Sequence, residues 1–206
     1  MGYTTDFIGH IDIHPTLNEA ERTYLTAFAA SRRWRRPGGR YAVPLNPAAV
    51  HDDLEGGTKD NGDRYNEPHP GQPGLWCQWV PCWDGCCLAF NGQEKFYEPT
   101  RWMAYLIDHF LAPGAQARRS KLPLLKDFTF DHRLDGIIAA CRRDTKELYL
   151  ICVDDNVVTK EVLLPADDRY VDYPPLAYEA YADAEKARRP RRRRPKPALR
   201  VVGGPT

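Results

Sequence analysis

No apolar run in this 206-residue chain approaches the length of about 18 residues from which a membrane-spanning helix is read. The opening MGYTTDFIGH also lacks the basic and apolar stretches of an export signal, so a soluble cytoplasmic protein is expected. Myristoylation at Gly2 is excluded by Asp6, which stands where that signal requires Ser or Thr. Nucleophile elbows of the form Gly-x-Ser-x-Gly, Gly-rich phosphate loops and His-Glu-x-x-His pairs are all missing, which removes support for the common motif-bearing enzymes. The expectation leans away from an enzyme, with no catalytic residue assigned and no cofactor.

What is present is unevenly distributed. Residues 74–113 hold Trp76, Trp79, Trp83 and Trp102 of the five tryptophans, and Cys77, Cys82, Cys86 and Cys87 of the six cysteines. With no export signal, six cysteines point to a reducing compartment and to thiols rather than disulfides. The net charge of +1 hides a second asymmetry: residues 186–206 carry nine of the 29 Lys and Arg and no acid, leaving 20 basic against 28 acidic residues in 1–185. The chain is an acidic body with a basic tail.

The element pattern reads β-α-β-β-α-β-β-β. Residues 3–13 alternate as a half-buried strand, and Asn18 with Glu21 makes a capping pair for a helix reaching about Arg33. Residues 37–73 are rich in Pro, Gly, Asn and Asp and form a long irregular loop. Leu75–Trp83 and Cys86–Phe90 flank Asp84-Gly85 as a type I′ hairpin, pairing Trp79 with Phe90. Pro99 opens a second helix that ends at Ala112-Pro113. Strands follow over 136–141, 147–154 and 157–164, the last two joined by Asp155-Asn156. The expected fold is α+β: an antiparallel sheet with two helices on one face and a candidate ferredoxin-like core extended by the last strands. One globular domain is expected over 1–173, then a marginal helix over 174–189 and a disordered Arg-rich tail over 190–206.

Several groups invite a functional reading. Four thiols within eleven residues suggest zinc, but strict alternation along the hairpin would separate them between two faces, leaving Cys82 and Cys87 as a redox pair and structural thiols as the main expectation. His10, Asp12 and His14, two apart on a strand, are weak metal-ligand candidates. Asp127, His132 and Asp135 lie close enough in sequence to orient a histidine for proton transfer. Arg188, Arg189, Arg191, Arg192, Arg193, Arg194 and Lys196 of the tail, with Arg32, Arg33, Arg35 and Arg36 around Trp34, are candidate DNA or RNA contacts, since such cations neutralise phosphates and release counterions.

The segments Met1–Phe7, Ser31-Arg32-Arg33, Gly74–Val80, Glu94–Tyr97, Tyr105–Ile107 with His109–Leu111, and Val153 with Asp155–Thr159 resemble a family of small bacteriophage and bacterial proteins with no assigned activity. The resemblance covers about residues 1–36, 73–113 and 134–161 and implies a phage or prophage origin. It carries over no catalytic residue. Cys82, Cys86 and Cys87, the apolar stretch Ile137–Cys141 and the Arg-rich tail depart from the family pattern. The first expectation is a non-enzymatic binding or regulatory protein acting through a protein partner. A nucleic-acid-associated protein is the second, and a small enzyme or metal protein the third.

Overall fold

The computed structural model describes residues 4–36, 38–44, 66–93 and 95–172. The chain divides into two compact units, 1–168 and 169–206. Of the second, only a single helical turn, Arg169–Asp172, is described, so the expected terminal helix and the tail cations Arg188 to Lys196 lie outside the described residues.

The first unit is an open six-stranded antiparallel sheet in the order β2-β3-β1-β4-β5-β6. Its strands are β1 (Thr5–His14), β2 (Trp79–Pro81), β3 (Cys87–Phe90), β4 (Arg133–Arg142), β5 (Leu148–Asp154) and β6 (Val157–Leu164). Helix α1 (Glu19–Ala30) links β1 to β2, and α2 (Pro99–Leu106) links β3 to β4. The α+β class is as expected. Because β3 lies between β1 and β2, and β1 between β3 and β4, two β-α-β units interleave in the ferredoxin-like manner. β5 and β6 then extend the β4 edge.

Helix α1 starts at the expected capping box, Asn18 and Glu21 each bonding the other's backbone N–H. It stops at Ser31, where the backbone becomes extended. Helix α2 starts at Pro99 and widens into a π-helical turn, Ile107–Leu111. The β5–β6 hairpin turns at Asp155-Asn156, both with positive φ, as a type I′ turn requires.

One sheet face is the core. Ile11 and Ile13 of β1, Leu88 of β3, Leu134 and Ile138 of β4, and Tyr149, Ile151 and Val153 of β5 meet Tyr24 and Phe28 of α1, Trp102 of α2 and Phe110 of the π-helical turn in one buried cluster. Ring contacts knit it: Phe28 lies 5.2 Å from Phe110 and 6.1 Å from Trp102. Residues 114–133 contribute Ala117 and Leu125 from two short 3-10 turns and Phe128 and Phe130 from the segment after them.

The opposite face carries Ile8, His10 and Asp12 of β1 beside Ile137 of β4 and Cys152 of β5. It is open, with Ile8 77% and Ile137 57% exposed. Gly9 sits between the faces with φ of +111°, and a Cβ there would lie 2.5 Å from the Ile137 carbonyl oxygen. Gly9→Ala is therefore expected to cost about 1–3 kcal/mol through backbone strain alone, read from the urea midpoint of the variant.

Candidate functional site

The 37–73 segment is anchored where it is described. Trp34 pairs with Pro68, Arg35 N–H donates to the Glu67 carbonyl, and Arg33 N–H to that of Leu75. Tyr41 and Gln72 are buried; the Tyr41 hydroxyl lies 2.7 Å from His109 Nδ1 in the π-helical turn, and Tyr105 stacks on that imidazole at 3.9 Å. Burial, with Arg40 nearby, pushes His109 down to about 4, so it is neutral at physiological pH.

This anchoring corrects part of the arginine reading. Arg33 is 1% exposed: its guanidinium donates to Ser31 Oγ (2.9 Å) and to the carbonyls of Arg40 (2.8 Å) and Ala42 (2.9 Å), and lies 3.8 Å over the Phe28 ring. Arg36 is also buried and donates to the Arg32 carbonyl. Both hold the chain together and are withheld from a nucleic-acid surface. Arg35 is exposed and Arg32 half-buried.

Arg32 belongs to a cavity of about 580 Å³, lined also by Trp76, Gln78, Gln93, Lys95, Tyr97 and Trp102. Its size is that of a small-molecule site. Trp76 and Tyr97 are 38% and 43% exposed, and the Arg32 guanidinium lies 5.8 Å from the Trp76 ring while donating to Asn66. Trp102 is fully buried, and its indole N–H finds no acceptor among the described residues. Gly74 passes close to that nitrogen: a Cβ there would lie 3.8 Å from it, in ordinary contact. The described lining has two cations, two amides, two exposed rings and no carboxylate. A second cleft of about 320 Å³ gathers Arg118, Lys121 and Lys126 beside Phe128 and Phe130.

The histidine expected to work with Asp127 and Asp135 has another partner. His132 is buried, with Nε2 3.2 Å from Glu21 Oε1 and Nδ1 2.7 Å from the Pro15 carbonyl oxygen. Asp127 instead uses its carbonyl to accept from Asn18, and Asp135 bonds Asp155 N–H. This is a structural knot between α1 and the segment entering β4. His10 and Asp12 do share the open face, 3.3 Å apart and over half exposed, but no ligand set of three forms around them or His14 among the described residues.

The cysteines are where alternation failed. The register is as expected, with Trp79 opposite Phe90 and Pro81 opposite Leu88. Residues 82–86 are a turn rather than strand ends: Gly85 N–H donates to the Cys82 carbonyl, Gly85 has φ of +77°, and Asp84 stays at negative φ, so the two-residue type I′ turn is replaced by a longer one. Cys86 thereby reaches Cys82, Sγ to Sγ 3.6 Å, and one ligand atom from each of Cys82, Cys86 and Cys87 falls within 4.8 Å of the others. Cys82 is nearest to Cys86 as a thiol partner and accepts from Cys87 N–H at 3.0 Å. Cys77 is apart and buried, its thiol pushed up to about 12 by burial.

No protein-family model matches the chain, and neither a curated protein nor a solved structure does so. Among the described residues, no helix is long and apolar enough to cross a membrane.

Proposed function

We propose that this is a non-enzymatic binding protein of phage or prophage origin that holds single-stranded nucleic acid, one nucleotide sitting in the Trp76–Tyr97 cavity. The observation that carries the reading is the meeting of two exposed rings with Arg32, Lys95 and two amides in one cavity. Exposed rings stack on any base, cations follow the backbone phosphates, and the Gln78 and Gln93 amides satisfy the edge of a base turned into the site. Duplex DNA keeps its bases stacked and offers nothing to such a cavity. The nine cations of residues 186–206 add sequence-independent, salt-sensitive attraction. The phage origin is supported by the resemblance of the 74–80, 94–97 and 153–159 segments to phage proteins.

The test is a tryptophan-fluorescence titration with single-stranded oligonucleotides and matching duplexes, on the full chain and on a chain ending at Glu185. Trp76→Ala is expected to weaken single-strand binding by about 1–3 kcal/mol, the value of one base stack. Shortening the chain should reduce the salt dependence and leave the preference for single strands. Equal affinity of wild type and Trp76→Ala, or of single strand and duplex, would overturn the reading.

A second reading, a protein partner, has its own support in the open face, where Ile8 and Ile137 are exposed beside Asp6, Asp12 and Asp135. Asp6 is paired there with Arg143 and Asp135 with Arg133, and the apolar pair suits a protein surface. A second copy is the partner tested directly: concentration-dependent sedimentation, abolished by Ile8→Asp, supports it, and a monomer at all concentrations removes it.

A further inference from the structure

We infer that the β2–β3 turn is a structural zinc site, with Cys82, Cys86 and Cys87 as thiolate ligands and the Asp84 carboxylate closing the fourth position. The argument is geometric. Zinc–sulfur bonds of about 2.3 Å in a tetrahedron place two sulfurs about 3.8 Å apart. The Cys82 and Cys86 sulfurs already stand 3.6 Å apart, and all three sulfurs fit within 4.8 Å. The three sulfurs form the preassembled part of the set, and closing it requires the Asp84 carboxylate beside Cys82 to turn in.

The fourth group is held in place. Asp84 Oδ1 accepts from Cys82 Sγ at 3.0 Å and from Cys86 N–H at 3.3 Å. The turn itself is braced from outside: Ile13 N–H donates to the Cys86 carbonyl (2.7 Å), Leu17 N–H to that of Gly85 (3.0 Å), and the Arg22 guanidinium to that of Trp83. At Gly85 a Cβ would lie 2.7 Å from the Leu17 carbonyl oxygen, so the close seat on the β1–α1 connection needs glycine.

Apart from those backbone bonds, the turn has little apolar burial to hold it. β2 is a three-residue edge strand, and Trp83 at the tip is 86% exposed, so no apolar burial fixes it. Zinc binding forms three Zn–S bonds and breaks three S–H bonds, sending three protons to solvent, so affinity rises with pH.

The experiment uses the full chain, reduced and stripped with chelator. Cobalt(II) should give the intense red-region absorption of a tetrahedral thiolate site, one equivalent of zinc should bleach it, and zinc should raise the melting temperature. Zinc should also protect Cys82, Cys86 and Cys87 from alkylation, read by peptide mass spectrometry on native protein, while Cys141 and Cys152 react as before. Asp84→Ala should weaken zinc binding about 10- to 100-fold, and Cys86→Ser should abolish the cobalt spectrum. A weak octahedral cobalt spectrum, uniform alkylation with zinc present, copper(I) binding without zinc binding, or a Cys82–Cys86 disulfide as the only chemistry would each overturn the inference. The alkylation readout needs no variant, so a misfolded substitution does not blur the outcome.

Discussion

Replacing Arg33 with alanine is expected to destabilise the protein by about 3–5 kcal/mol, with two buried carbonyls losing a charge-assisted bond and a cavity opening beside Phe28. The side chain is 1% exposed and its acceptors are Ser31 Oγ and the carbonyls of Arg40 and Ala42, none of them a carboxylate. Burial pulls its pKa down to about 10, which still leaves it charged at neutral pH. The cation is tolerated because carbonyl dipoles and the Phe28 ring face take the place of water. Arg33→Met should recover the packing and lose only the bonds, a smaller cost. Arg33→Lys should not restore the wild-type value, since one ammonium does not span two carbonyls and a hydroxyl from the same position. Urea denaturation of the three variants checks the order. Amide hydrogen exchange over residues 38–44 adds a local readout, because that segment should open first when its anchor is gone. If Arg33→Ala melts within 1 kcal/mol of wild type, the anchor role is wrong.

Arg33 also shows where sequence reasoning stops. Four arginines around Trp34 look like one basic patch, and composition treats them as equivalent. Tertiary contacts divide them. The chain leaves α1 at Ser31 in extended form and is caught between Leu75 and Glu67, which turns Arg33 and Arg36 inward and leaves Arg35 outside and Arg32 at the cavity. Local chemistry was legible wherever one residue's neighbours in sequence are also its neighbours in space. The Asn18–Glu21 capping box, the Asp155-Asn156 turn and the Trp79–Phe90 pair are of that kind. The cavity is of the other kind, assembled from positions 32, 68–78 and 93–102, and no spacing rule joins those. The cysteine turn lies between: its register was readable, but alternation was carried through residues 82–86, where a type I-like turn ends it. One sheet face, two helix faces and the segments packed against them hold the buried apolar residues. Among the groups outside that core, the cavity rings and the turn thiols bring polar or ligating atoms together.

The second large effect concerns Glu21, which is both the last member of the capping box and the partner of His132. Oε2 accepts from Asn18 N–H at 2.9 Å, while Oε1 accepts from Thr129 N–H at 2.7 Å and from Thr129 Oγ1 at 2.9 Å, with His132 Nε2 at 3.2 Å. Burial alone would raise this carboxyl, but the bonds from His132, Thr129 and Asn18 outweigh it and carry the pKa from 4.5 down to about 2. For His132 burial works against the cation and is outweighed by Glu21 and the Pro15 carbonyl, so its pKa lies above 6.5. The signs differ. Glu21, depressed in the folded state, contributes stability above 4.5 that is lost as pH falls towards about 2. His132, raised in the folded state, contributes fully below 6.5 and loses its contribution as pH climbs through its folded value. Both contributions are complete only between about pH 4.5 and 6.5. The displacement of Glu21 from 4.5 to about 2 is worth roughly 3 kcal/mol above that range's lower end. Glu21→Ala strands a buried histidine and the Thr129 and Asn18 donors, with an expected loss of about 3–5 kcal/mol at pH 6. Glu21→Gln keeps the shape, so the stability gap between it and wild type should be widest inside the window and narrow at both ends. Urea midpoints measured from pH 3 to 9 trace that profile, and the His132 ring proton signals should titrate above 6.5 in wild type and lower in Glu21→Gln. A His132 titration at or below 6.5 in wild type, or a gap that is flat with pH, would show that the pair is a neutral hydrogen bond and not an ion pair.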